Sequence, residues 1–317
     1  MGSSYYNVPN PKPGVVFTYY VKDEIKKLKD IRTEAEKAKY DKGEKVYYPS
    51  IDSLRLEDNQ PDPYLLFTIT DSNGDVVRHI KTAAKKGIQR IHWNFRTNSA
   101  APVNQRYTPG PDQLFGSEEQ GYLVLPGTYN VTLHKYQDGE LTTLAGPVSF
   151  SCKMLNNTTL PADNMKENEA FYKKLTDIRK EMSATEDVVA NLENRLKNIN
   201  LAILDMPAPT KELLKQAYNA DIQLDKLKLE LFGDGTKSKR EFETNASVSD
   251  RIYGAIGSVW NTTANIPTTY KSSFDIASKQ FKQSLSTLKT IHEKVQGIEK
   301  ELDMKKAPFS PGRWPNW

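Results

Sequence analysis

The residue types that could carry chemistry are few and scattered. The chain has one cysteine, Cys152, and four histidines, His79, His92, His134 and His292, none at metal-ligand spacing. One cysteine excludes an internal disulfide, and with no His or Asn partner assignable to it Cys152 reads as a small packed side chain. His79 and His92 are expected on neighbouring strands, where a cross-strand pair lacks a third ligand. Glycosidase chemistry needs two carboxyl groups facing one bond across a set distance. Glu167, Glu169, Asp177 and Glu181 instead fall on the polar faces of helical stretches, while Asp71 and Asp75 flank a turn. An enzyme of that type would have to draw on Asp112, Glu118 and Glu119 in the irregular stretch 97–121. There is no Gly-x-Ser-x-Gly elbow. Gly233-Asp234-Gly235-Thr236-Lys237-Ser238 has neither the spacing nor the preceding strand of a phosphate loop and reads as a helix stop. Lys237, Lys239 and Arg240 read as solvated loop charges. The expectation is no catalytic residue, no cofactor and no metal.

Composition narrows the class further. Of 317 residues, 37% are hydrophobic and 26% charged, and 16 Tyr, 11 Phe and 4 Trp are too many aromatics for a disordered chain. No apolar run approaches the ~18 residues of a membrane span. The 44 basic and 40 acidic residues are interspersed, which argues against a nucleic-acid partner. Met1-Gly2-Ser3-Ser4 does not open a signal peptide, so a piece of a longer exported protein is expected. Five Asn-x-Ser/Thr sites are no more than chance supplies in so Asn- and Thr-rich a chain, and Asp52-Ser53-Leu54 matches the short O-glycosylation signal of exported Bacteroidetes proteins.

The elements that would position any site divide in two. Residues 1–13 read as a linker or lead-in strand, and 14–153 as an antiparallel β-domain. Val15–Val21, Leu65–Thr70 and Val76–Ile80 are β-branched and aromatic runs. Asp71-Ser72-Asn73-Gly74 joins the last two, and Asn-Gly is the strongest short hairpin signal. Ile88–Phe95 places Ile91, Trp93 and Phe95 on one face. Tyr129–His134 and a strand through Val148 and Phe150 follow. Short strands separated by turns predict an immunoglobulin-like β-sandwich. Residues 22–45 carry 16 charges in 24 positions, with Ile25, Leu28, Ile31, Ala35 and Ala38 at helical spacing, and predict an inserted charged helix. The 97–121 segment, rich in Pro, Gly, Asn and Gln, predicts a long loop.

Beyond Leu160 the period changes to about 3.5. One stripe runs from Phe171 through Leu175, Ile178, Met182, Val189, Leu192, Leu196 and Ile199 to Ile203, with Thr185 as its polar exception. A second runs Leu213 to Leu231, and a third Tyr270 to Leu302. These predict an antiparallel three-helix bundle over 161–306, with a shorter helix from Val248 to Val259, and hence an α+β, multidomain chain. The tail 307–317, with Phe309, Trp314 and Trp317, is predicted to fold back and bury its aromatics, or else to dock on a partner. Phe309, Trp314, Trp317 and Trp260 form the expected interaction surface.

Several stretches together resemble a known family. They are Pro11–Tyr20, Thr68–Arg78, Gly87–Arg96, Val124–Leu133, Leu231-Phe232-Gly233-Asp234 and Ala307–Pro315. Their order and spacing resemble the C-terminal region of large exported bacterial proteins with BNR/YVTN-type propeller repeats, related to sortilin and often labelled glycosyl hydrolases. The resemblance implies an extracytoplasmic location (periplasm, outer-membrane surface or secreted) and a partner in the propeller of the same parent protein or in another exported protein. It supplies no catalytic residues, since the Ser-x-Asp-x-Gly-x-Thr-Trp repeats of the propeller are absent here. The leading expectation is a non-catalytic accessory module. A glycoside-hydrolase-type fragment and a helical adaptor binding through its seams are the alternatives.

Overall fold

The computed structural model describes residues 13–100, 121–155, 159–260 and 262–315. The chain combines two antiparallel sheets with several helices. These residues fall into two compact units, 13–98 with 121–155, and 99–100 with 159–315.

In the first unit, β1 (Val15–Val21) pairs antiparallel with β4 (Gly87–Trp93). The second sheet has the order β3 (Val76–Ala83), β2 (Tyr64–Thr70), β5 (Gly127–Gln137), β6 (Glu140–Cys152). The alternation in β2 is strict: Leu65, Phe67 and Ile69 are buried and their neighbours are not. Phe67 and Ile69 meet Trp93, Tyr129 and Val131 in one core. Phe17 stacks on Phe67 with ring centroids 6.1 Å apart, and Trp93 meets Tyr129 edge-on at 5.7 Å. Two polar groups that burial would strand are satisfied by main chain: Trp93 Nε1 donates to Arg96 O (2.9 Å) and Tyr129 OH to Leu125 O (2.6 Å). Phe95 lies past the end of β4 at positive φ, yet still packs edge-on against Trp93. Thr97 and Asn98 close the edge of β3, where Asn98 N donates to Val77 O and His79 N donates to Asn98 Oδ1.

Between β1 and β2 the structure has two helices where one charged helix was expected. They are α1 (Leu28–Asp41) and α2 (Ile51–Asn59), the latter capped by Ser50, whose oxygen accepts from Ser53 N. Neither helix contributes a buried residue. Arg32 joins them through a two-point contact to Glu57 (2.7 and 2.9 Å) and a second to Glu36.

The second unit is helical: α3 (Met165–Leu204), α4 (Lys211–Phe232), a single turn α5 (Gly235–Ser238), α6 (Val248–Val259) and α7 (Thr268–Met304). Phe171 meets Phe274 near the start of α3 and α7, and Arg195 meets Glu299 near their ends, so the two run parallel. Gln223 meets Lys294 while Leu229 and Glu230 lie beside Gln280 and Gln283, so α4 runs antiparallel to α7 and hence to α3. α6 continues in the direction of α4. Its Tyr253 donates to Glu186 (2.6 Å), and its exit at Thr262 accepts from Tyr172.

The three predicted stripes are the buried faces. Thr185, the polar member of the first, returns its hydroxyl to Glu181 O (2.8 Å), and Ser284 fills the gap between Phe281 and Leu288 in the third. The main core draws on four helices, since Val248 and Ile252 of α6 join those of α3, α4 and α7.

A fully buried leucine and an exposed one in the same helix should separate cleanly. Leu196→Ala, at 0% exposure, is expected to cost about 2–5 kcal/mol, and Leu201→Ala, at 61%, within about 0.5 kcal/mol, measured by urea unfolding followed at 222 nm.

Candidate interaction surface

The C-terminal tail starts where α7 stops. Lys306 adopts a left-handed conformation (φ 53°), so Lys306 N reaches Asp303 O and Ala307 N reaches Leu302 O. These two bonds close the helix end in a Schellman pattern, with Ala307 packed into the core. Pro308 and Pro311 then forbid further helix. Ser310-Pro311-Gly312-Arg313 forms a turn with Arg313 N donating to Ser310 O (3.2 Å). Proline second and a positive-φ glycine third (φ 102°) is the type II requirement. Gly312 also lies against Arg195, and a Cβ there would meet Arg195 Cγ at 3.4 Å.

The turn aims Arg313 back at the helix it left. Its guanidinium donates to Asp303 Oδ1 from Nε (2.7 Å) and from Nη2 (2.5 Å), and to Pro308 O (2.7 Å), with the residue 9% exposed. Below Gly312, Arg195 grips Glu299 at two points (2.8 and 2.5 Å), both side chains nearly buried. Charged bonds of this geometry are the stronger class. The tail is therefore seated by arginine, not by aromatics.

That reverses one expectation. Phe309 is 62% and Trp314 86% exposed, and Met304 at the end of α7 is exposed as well. The tail folds back as predicted, but its rings point to solvent. Trp260, also expected on the interaction surface, is buried at 5% exposure, because it caps α6 where the chain turns into α7. Trp317 lies outside the described residues. Periodicity and composition carry no signal for this seat, because it rests on two single charged residues outside any apolar stripe. The signal was available in an arginine placed directly after Pro-Gly, ten residues from an acid on a helix end.

The other candidates do not assemble. His79 and His92 stand on different sheets and form no pair: His79 accompanies Thr68 (3.2 Å), while His92 lies opposite Val16. Burial and nearby His134 push His79 below the usual histidine range. Asp112, Glu118 and Glu119 lie outside the described residues. Among the described residues, no group of three or more His, Cys, Asp or Glu could hold a metal. A surface cleft of about 580 Å³ is lined by Gly233, Asp234, Lys237 and Glu243. There Asp234 is spent capping α5, accepting from Thr236 N (2.9 Å) and Lys237 N (3.2 Å). Among the described residues, no helix is long and apolar enough to cross a membrane. No protein-family model, curated protein or solved structure matches the chain.

Two outcomes follow from this geometry. Arg313→Ala is expected to lower stability by about 1–3 kcal/mol, because Asp303 and the Pro308 carbonyl lose their donor, whereas Trp314→Ala should stay within about 0.5 kcal/mol. Thermal unfolding of both variants checks it. Cys152 is buried, and burial pushes its thiol above the ordinary value. A folded-state pKa above the unfolded one stabilises the fold below the unfolded value, and that contribution is lost as pH rises through the folded one. Dithionitrobenzoate should label Cys152 slowly in native protein near pH 8, and at the free-thiol rate once urea is added. Equal rates would contradict the buried placement.

Proposed function

We propose that this chain is a non-catalytic interaction module of a larger exported propeller protein. On this reading it uses the tail aromatics Phe309 and Trp314 to pack on the propeller of its parent or on another exported protein. One observation carries the reading. Two large rings stand in water on a segment held by a nearly buried arginine, so their exposure belongs to an ordered surface and not to a loose end. Rigid aromatic anchors with little entropy left to lose are the residues that dominate protein interfaces.

In finer detail, the first unit reads as an immunoglobulin-like β-sandwich. Two antiparallel sheets share an aromatic core around Trp93, and Tyr129 donates its hydroxyl four residues upstream, in the manner of a tyrosine corner. The second unit reads as an up–down–up three-helix bundle whose descending column is divided between α4 and α6. The extracytoplasmic location and the propeller context rest on the family resemblance of the sequence. The seams of α3, α4 and α7 are occupied by one another, which speaks against an adaptor that binds through them.

The parent protein's propeller, produced separately, tests the proposal by titration calorimetry. The chain is expected to bind it, and the double variant Phe309→Ala/Trp314→Ala to lose about 2–4 kcal/mol of affinity with an unchanged thermal midpoint. Unchanged affinity in the double variant would remove the tail from the interface. Sugar release from polysaccharides by this chain alone, abolished by changing a single Asp or Glu, would replace the proposal with an enzyme.

A further inference from the structure

α1 is an amphipathic helix turned inside out. Its part-buried side, facing α2, is Arg32 and Glu36, locked to a Glu57 side chain only 6% exposed. Its apolar positions Leu28, Ile31, Ala35 and Ala38 all point to solvent, with Leu28 at 44% and Ile31 at 52% exposure. Among the described residues they are left exposed, and the helix has no buried residue.

The spacing of that stripe is three, four, three, the period of an amphipathic helix face, and it fits the seam of a helix pair. Two alanines allow close approach. At 100° per residue, Lys39 lines one flank of the stripe beside Arg32, whose charge is already matched by Glu57 and Glu36, and Glu34 and Asp41 line the other. One flank is basic and the other acidic. Lys27, the exception on the acidic side, is engaged by Asp62. Lys26 contacts Glu34, but both side chains remain well exposed.

A helix with oppositely charged flanks is complementary to itself when two copies lie parallel about a two-fold axis, since each acidic flank then meets the partner's basic flank. Antiparallel copies would set like flanks together. We propose that α1 is a self-association site, taking the α1 of a second copy of this chain in parallel, with Leu28, Ile31, Ala35 and Ala38 at the seam and Glu34 reaching Lys39 of the other copy. A seam of four small and medium residues makes a weak, concentration-dependent dimer.

Sedimentation equilibrium of the whole chain from about 10 µM to about 1 mM tests this. A monomer–dimer equilibrium is expected, abolished by Ile31→Lys. Glu34→Lys and Lys39→Glu should each weaken it about tenfold, because two attractive contacts per dimer become repulsive. An equimolar mixture of those two variants should restore it, since the swapped flanks match again. All three side chains are exposed, so circular dichroism and the thermal midpoint should not move. A chain that stays monomeric at 1 mM overturns the proposal, as does a dimer indifferent to Ile31→Lys. A dimer strengthened by either single charge swap would mean antiparallel pairing and overturns it too. So does a monomer that binds an unrelated amphipathic helix through this face.

Discussion

Two helices of 40 and 37 residues lying parallel leave an apolar groove that must be covered along its whole length. At 1.5 Å per residue, α3 spans about 60 Å, α4 about 33 Å and α6 about 18 Å. No single descending helix here is long enough, so α4 and α6 share the task, and their sum comes close to the span. The break between them is built from local chemistry. Gly233 leaves α4 at positive φ, Asp234 caps the turn α5, and Ser247 with Asp250 forms a capping box that restarts the helix. An unbroken helix would do the same covering. The interruption instead places a polar cleft, lined by Asn245, Gln280 and Gln283, where the two pieces meet.

The nearly buried Arg195–Glu299 pair fixes how α3 and α7 align. A stripe of leucine and isoleucine can slide by a turn at little loss, because one apolar contact replaces another. A two-point ion pair cannot slide, since misregister would leave both charges desolvated and unpaired. Its contribution is therefore better understood as alignment than as net stability. The tail adds a lid to the same pair, with Gly312 over Arg195 and Arg313 on Asp303. Register and tail placement are thus linked through two neighbouring arginines.

Periodicity is why the helical unit was legible. The stripes at Leu192, Leu224 and Ile291 record which face is dry, and burial follows the spacing except at the start of α7, where Tyr270 and Phe274 are half-buried. The Asn73-Gly74 hairpin was legible for a similar reason, since few sequences fit that turn. α2 was missed because Ile51–Asn59 has no dry face to leave a pattern, and its helix rests on Ser50 and on Arg32 from elsewhere in the chain. The tail was half legible. Its prolines announced an extended path, and its rings suggested burial by the usual rule that large apolar groups leave water. That rule lost to geometry, because the turn orients Arg313 inward and carries its neighbours outward.

The same inversion occurs in both units. In α1 and α2, ion pairs form the inside and leucine and isoleucine face water. In the tail, arginine is buried and tryptophan exposed. Burial of apolar area contributes about 25 cal/mol per Å², so both arrangements forgo stabilisation that a simple repacking would recover. Charged seats have a compensating property: they fix direction, since a guanidinium fork accepts a carboxylate in few orientations. A surface meant to meet another molecule benefits from being held in place by contacts that do not consume its apolar groups. On the proposed reading, the two inverted segments are the surfaces that meet another molecule, and arginines hold them in place.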